Sequence, residues 1–412
     1  MAKERQTSRD YAHPYRPWPR RLYDAVARGG LGRVTAPELI ERARRETGLQ
    51  RLACEVEEPL SVLLESLRDE ARLNATGRLI TLTDTRANLR TNLYAAAWVD
   101  AKPELAEAPL GQPVVITGLP RSGTTLLQRM LARLPGARAL ATWEALDPVP
   151  PPTWTRPADP SDDPRVGRAR KAAAFVGWLS PDLFAAHPME AEAPEEEAML
   201  QSRVFRSGVA ETSYHVPSYA RWLEAQDAGP SYRWLALALR LLQHQRVGEG
   251  WVLKSPHHLG DLDALMDALP GTTIIQLHRD PAVTVPSFCS LVAHGHGISS
   301  DHVDPLEIGR HWSRRFERML KRAMAHREAR GEAHVVDVHY DELVADPVAT
   351  ARRLCERLQR PWSDEAEVRL RAWLGHNPQH AHGVHRYAAE DFGLEPEALR
   401  ERFAFYSERF DL

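Results

Sequence analysis

The sequence predicts an α/β protein with a mainly parallel sheet, on three observations. Short apolar runs recur at Val114-Val115-Ile116-Thr117, Trp251-Val252-Leu253, Thr273-Ile274-Ile275-Gln276-Leu277 and His334-Val335-Val336-Asp337-Val338. Such runs suit strands buried on both faces. Each is followed by a helix-like segment, and strand-to-helix alternation argues for parallel pairing. Residues 1–110 carry helical periodicity, which places an N-terminal helical module before the sheet.

The elements follow in chain order. Pro37 to Arg44 reads as a helix behind a capping threonine, and Leu60, Leu63, Leu64 and Leu67 recur at helical spacing. This module shows no recognisable chemistry. At 111 the texture changes: Gln112-Pro113 punctuates, a strand follows, then a glycine turn and an apolar-periodic helix from Thr124 to Leu134. A proline-rich stretch, Pro148 to Pro164, opens a helical insertion over 148–235. Its Phe175, Trp178, Leu179, Phe184, Met199, Phe205, Tyr214 and Trp222 are expected mostly in the core. The acidic run Glu190, Glu192, Glu195, Glu196 and Glu197 reads as the first turn of a helix, where carboxylates offset the macrodipole. A long helix near 306–328 places Ile308, Trp312, Phe316, Met319 and Ala323 on one face and arginines and glutamates on the other.

Composition narrows the function classes. The 412 residues hold 53 Lys+Arg against 56 Asp+Glu, a formal net charge of −3, which excludes a generic cationic nucleic-acid binder. With 43% hydrophobic and 26% charged residues the chain is an ordinary globular one. At roughly 150 residues per domain, two or three domains are expected. Cys54, Cys289 and Cys355 form no CxxC pair and no even framework, so neither a disulfide scaffold nor a cysteine zinc site is expected. The polar start MAKERQTSRDY lacks an apolar leader and no long apolar run follows, so the expected location is cytoplasmic, without a membrane span.

The most informative segment is Thr117-Gly118-Leu119-Pro120-Arg121-Ser122-Gly123-Thr124-Thr125. A buried strand runs into a tight turn and then a helix start. Glycines let the backbone approach an anion, and the free amides of the helix start bind phosphate or sulfate. Arg121 adds a cation, and the Thr124 and Thr125 hydroxyls can donate to the same oxygens. The spacing resembles the phosphate loop GxxxxGK[ST], with Thr124 in the lysine position. Without that lysine, ordinary ATP or GTP hydrolysis is disfavoured. The expected fold is therefore a P-loop-type parallel sheet flanked by helices.

A second element follows the strand Thr273–Leu277. Asp280 is a helix N-cap candidate and Pro281 a first helical residue. Arg279 stands at the strand end and Ser287 about two turns on, so both can face one anion in the crevice where α/β sheets bind ligands. Pro286 is awkward inside a helix because it lacks the N–H.

Together these residues carry a resemblance. The chain resembles the sulfotransferases that use 3′-phosphoadenosine 5′-phosphosulfate (PAPS), in particular the bacterial branch with a PRSGTT loop, related to tyrosylprotein sulfotransferases. Pro120 to Thr125 match the element that holds the 5′-phosphosulfate in that family, and Arg279 with Ser287 match the one for the 3′-phosphate. The resemblance covers 111–412, read as one PAPS-binding domain. It implies sulfonate transfer to a hydroxyl, without a metal. The cofactor-binding set it implies is Gly118, Arg121, Ser122, Gly123, Thr124, Thr125, Arg279 and Ser287.

The same resemblance assigns roles. Arg121 falls on the leaving-group oxygen, and Lys254, at the end of the next strand, on the sulfonate. For the general base two positions are open: Glu144, at nearly the offset of the glutamate in tyrosylprotein sulfotransferases, or His257 or His258, near the lysine as in cytosolic sulfotransferases. A histidine titrates nearest neutrality, and a desolvated glutamate can be raised into range. His385, Arg386 and Tyr387 belong to a closing segment expected to fold over the nucleotide. His376, His380, His382 and His385 fit no zinc spacing, so no metal is expected. The acceptor is expected to be a hydroxylated, fairly apolar small molecule or lipid, with no nucleic-acid partner. The alternatives are a kinase-like P-loop enzyme and a nucleotide-binding module without chemistry.

Overall fold

The structure, a computed structural model, describes residues 7–27, 31–246, 248, 250–377 and 385–412. Four helices open the chain: α1 (Trp18–Val26), α2 (Ala36–Thr47), α3 (Glu57–Asp69) and α4 (Ala75–Ala101). The starts of α2 and α4 follow from their caps. Thr35 accepts from the Glu38 amide while the Glu38 carboxylate reaches back to Thr35, and Asn74 accepts from the Gly77 amide at 2.7 Å.

Next come β1 (Val114–Gly118), α5 (Thr124–Leu131), β2 (Ala137–Arg138) and α6 (Thr142–Leu146). The insertion supplies α7 (Pro164–Leu179), α8 (Pro181–Ala186), α9 (Ala198–Gln201), α10 (Val209–Ser213), α11 (Pro217–Ala225) and α12 (Gly229–Gln245). The chain returns to the sheet with β3 (Gly250–Lys254), α13 (Leu262–Ala268), β4 (Thr273–His278), α14 (Pro281–Ser299), α15 (Pro305–Arg330) and β5 (Val335–His339). It closes with α16 (Tyr340–Ala345), α17 (Pro347–Arg357), α18 (Asp364–His376) and α19 (Pro396–Phe410).

The sheet has five strands in the order β2-β3-β1-β4-β5, all pairs parallel. Every residue of β1 is buried, as its unbroken apolar run requires. The register sets Ile116 beside Lys254 and Gly118 beside Leu277. The C-terminal ends of β3, β1 and β4 therefore lie side by side, and the three loops that leave them share one crevice.

Two apolar cores cover the two faces of the sheet. One holds Leu127, Met130 and Leu131 of α5 with Val252, Ile275, Val338 and Leu354. The larger runs from Leu60, Leu64 and Leu89 of the N-terminal helices through Trp234 and Leu239 of α12 to Trp251 and Phe316. The N-terminal module thus packs into the same core as the sheet domain. Burying each such leucine stabilises the fold by about 1.5–3 kcal/mol.

Three expectations change. The strand β2 was not foreseen; two residues carry no periodicity, and pairing with β3 alone defines it. Phe175 and Trp178 are exposed rather than in the core, and stack on each other with centroids 5.7 Å apart. The acidic run is not a helix turn: residues 190–197 are irregular, held by a bridge between Ala141 and Pro194, and α9 begins only at Ala198.

Candidate active site

The loop between β1 and α5 is built by backbone conformation. Gly118 has φ +139° and a Cβ there would meet the Leu277 carbonyl oxygen at 2.5 Å, so only glycine fits beside β4. Arg121 adopts φ 71° and Gly123 φ 92°, which turn the chain back onto the start of α5. Ser122 is buried, and its N–H and hydroxyl both donate to the Leu119 carbonyl, at 3.3 and 2.6 Å. Its side chain therefore braces the turn. The hydroxyls of Thr124 and Thr125 have no hydrogen-bond partner among the described residues and line a cavity of about 350 Å³ together with Arg121.

Arg121 donates to the Ala186 carbonyl at 3.2 Å. Burial, with the nearby positive charge of Arg279, lowers its pKa, so an anion at this place relieves two adjacent cations. Arg279 leaves the end of β4, donates to the Arg121 carbonyl at 2.7 Å and lies over the Tyr340 ring at 3.8 Å. Ser287 is buried in α14 and has no hydrogen-bond partner among the described residues; Pro286 is accommodated inside that helix.

The end of β3 is tied to the loop strand. Thr117 donates its hydroxyl to the Ser255 carbonyl at 3.0 Å, and the Ser255 amide donates to the Ile116 carbonyl at 3.1 Å. Lys254 is buried and its Nζ meets Glu196 at 2.6 Å. Burial alone would raise the Glu196 carboxyl, but the charge and hydrogen bond of Lys254 hold it below the usual range. Glu196 lines the cavity, as does His257. The His257 ring makes no side-chain hydrogen bond among the described residues. Burial lowers its pKa, opposed by the charges of Glu196 and Glu211, so at neutral pH it is an uncharged imidazole. It packs on Gly208, where a Cβ would lie 2.6 Å from Cε1.

His258 is not free for chemistry. It is buried between Glu197 at 2.6 Å and the Tyr232 hydroxyl at 2.8 Å, and Glu197 also accepts from the Lys254 amide at 2.8 Å.

The expectation of Glu144 as a base is corrected. Glu144 is fully buried and does not line the cavity. Its oxygens accept from Arg138 at 3.1 Å, from Arg246 at 3.0 and 2.9 Å and from the Ala141 amide at 3.0 Å. Burial would raise its pKa, but the hydrogen bond from Arg246 and the charge of Arg138 prevail and hold it ionised. It is the anchor of an ion-pair cluster under β2.

The closing segment comes back to the loop. His385 meets Ser290 at 2.9 Å, and burial beside Arg121 and His294 pushes its pKa down to about 3. Tyr387 donates to the Val283 carbonyl at 3.4 Å and lies near enough to Arg121 to act on its charge. The Arg386 side chain is exposed, and its backbone is tied to Thr7 at 2.8 Å. His380 and His382 lie outside the described residues; His376 bonds the Ala372 carbonyl at 2.7 Å. Among the described residues no group of metal ligands occurs and no helix is long and apolar enough to cross a membrane.

Arg121, Thr124, Thr125, Glu196 and His257 line one cavity; Lys254 is joined to it through Glu196, and Arg279, His385 and Tyr387 lie near Arg121. Sequence reasoning missed Glu196, which it placed on the first turn of a helix, and the contribution of α4, whose Asp84 lines the same cavity. The signal for Glu196 was its place in an acidic run, but no local pattern points to Lys254 as its partner.

Sheet order, central loop and crevice define an α/β protein of the P-loop type. The chain belongs to the sulfotransferase family, whose model matches residues 113–364. It is similar to sulfotransferase STF1 from Mycobacterium tuberculosis, with 31% identity over 90% of this chain and 99% of that one and a TM-score of 0.78. It is likewise similar to sulfotransferase STF9 from Mycobacterium avium, with 27% identity, 92% and 98% coverage and a TM-score of 0.82. No curated protein matches the sequence.

Proposed function

We propose that the chain moves the sulfonate of PAPS to a hydroxyl of a largely apolar acceptor. The carrying observation is the pairing of Arg121 with Arg279 at the head of a cavity that also holds Lys254's partner Glu196 and His257. Two unpartnered threonine hydroxyls and a glycine cradle fit the phosphosulfate at the loop. Arg279, Ser287 and the closing residues His385 and Tyr387 fit the nucleotide's 3′ side. When bound, PAPS supplies an activated sulfonate on a phosphate leaving group. Arg121 balances charge on the bridging oxygen, and Lys254, held by Glu196, balances charge on the sulfonate oxygens. The neutral His257 imidazole takes the acceptor's proton, and the charges of Glu196 and Glu211 stabilise the imidazolium. No step here requires a metal.

The cavity wall favours an apolar acceptor: Leu183, Met199, Leu291 and Phe316 contribute to it. The three cysteines are free, which supports a reducing, cytoplasmic setting. A kinase-like reading is disfavoured because Thr124 stands in the place of the loop lysine.

The experiment is calorimetric titration of 3′-phosphoadenosine 5′-phosphate (PAP) and of ATP without metal, followed by turnover of PAPS against a panel of alcohols and phenols. PAP binding that Arg279→Ala abolishes, with weak ATP binding, supports the donor site. Tight ATP binding without preference for PAP overturns it. PAP binding without turnover on the whole panel favours a module without chemistry. Among variants, His257→Gln should lose roughly 100-fold or more in kcat with PAP affinity intact. If Glu196→Gln loses it instead and His257→Gln does not, the proton goes to Glu196.

A further inference from the structure

We propose that Asp84 is the acceptor-recognition group of this site, reading a hydrogen-bond donor, a hydroxyl or an ammonium, on the acceptor's end remote from the reacting hydroxyl. The inference rests on the sulfotransferase reading above. Asp84 stands in the middle of α4, the 27-residue helix of the N-terminal module. It lines the loop cavity and also a second cavity of about 180 Å³. The two share Leu146, Met199, Val209 and Ser213 as walls, so they adjoin across Asp84 and a largely apolar neck.

The state of this carboxylate is unusual. Asp84 is an exposed residue whose side chain borders both cavities, and the protein around it raises its pKa. It has no hydrogen bond and no ion pair among the described residues. The charge that acts on it is Arg203, which instead donates to Asn88 at 2.6 Å and to the Ala145 carbonyl at 2.9 Å, and whose Nε has no partner. A carboxylate at a cavity wall without a donor is open to accept one from a ligand that fills the cavity. The other two acids that line these cavities already have partners: Glu196 has Lys254 at 2.6 Å, and Glu195 accepts from the Glu196 amide at 2.8 Å. The acceptor that fits has a hydroxyl at the loop end, an apolar body along the neck and a donor at the Asp84 end.

The test uses the full chain saturated with PAP. Chain-matched hexyl, octyl, decyl and dodecyl sets are titrated calorimetrically: the plain alkanol, the α,ω-diol and the ω-amino alcohol. At one chain length the diol or the amino alcohol should bind about 10-fold or more tightly than the alkanol. Asp84→Leu should remove that preference while the plain alkanol still binds. Asp84→Asn, which changes shape least and guards against misfolding of the leucine variant, separates the two chemistries. It keeps preference for a diol and loses it for an ammonium. Equal binding of all three probes at every length, no binding of any, or a preference that survives Asp84→Leu overturns the proposal. PAP titration of the same sample reports separately on the donor site. Failure of PAP to bind sinks the PAPS-donor reading on which the inference rests; PAP binding without probe discrimination sinks only the role of Asp84.

Discussion

At the scale of the residue, burial and its two arginine partners fix the duty of Glu144. Glu144 neutralises Arg138 and Arg246 in a dry site, so its substitution acts on stability. Glu144→Gln should cost about 3–5 kcal/mol of unfolding free energy, since two arginines lose their counter-charge. Urea denaturation reads this directly; an unchanged midpoint with a collapsed kcat would restore Glu144 as the base. Gly208 gives a complementary case. A methyl group there would occupy the place of the His257 ring, at 2.6 Å from Cε1, and nothing else about the backbone is strained. Gly208→Ala should therefore reproduce the roughly 100-fold loss expected of a displaced base, with thermal stability within a few degrees of wild type. Retained activity would show that His257 is not positioned by this contact.

At the scale of the element, the strand–loop–helix unit was legible because its determinants are contiguous. A buried strand, a glycine at positive φ and a helix start are local backbone facts, written in the residues that form them. Gly118 is their hinge, held against β4 by the close approach of the Leu277 carbonyl. Gly118→Ala should abolish PAP binding in calorimetry, because the loop cannot keep its path without pushing β4 away; binding at wild-type affinity would refute this geometry. The acidic run was misread for the converse reason. Acids before a short helix satisfy a local rule, but Glu196 and Glu197 answer to Lys254 and His258, about sixty residues on, and the segment is irregular so that they can reach them. The two-residue strand β2 likewise exists only through its neighbour β3.

At the scale of the whole molecule, buried ionisable groups make stability depend on pH with one dominant sign. Burial lowers the pKa of His257, His278 and His294, brings His296 to about 4 and His385 to about 3. The unfolded chain protonates these near the ordinary imidazole value of about 6.5, and the folded chain does not. Their contribution is full above that value and is lost as pH falls through the folded values. Glu144, Glu196 and Glu211, held ionised, lose theirs at lower pH in the same direction. Asp84 and Asp261, raised by burial, run the other way and act only at the acid end. The melting temperature should therefore begin to fall just below pH ~6.5 and keep falling toward ~4. A flat profile across that window would mean these imidazoles are hydrated in the folded protein.

The fold class, the parallel sheet and the strand–turn–helix path through Gly118 and Gly123 were written in the sequence, because strand burial, glycine geometry and helix starts are encoded locally. Only the tertiary structure decided which acids are free. Arg246 lies 102 residues from Glu144, and Lys254 lies 58 from Glu196. The N-terminal helices, which show no chemistry as a sequence, bring Asp84 to the cavity through packing against the insertion. The physical reason is that a charge is defined by what surrounds it, and in this chain the surroundings come from segments distant in sequence.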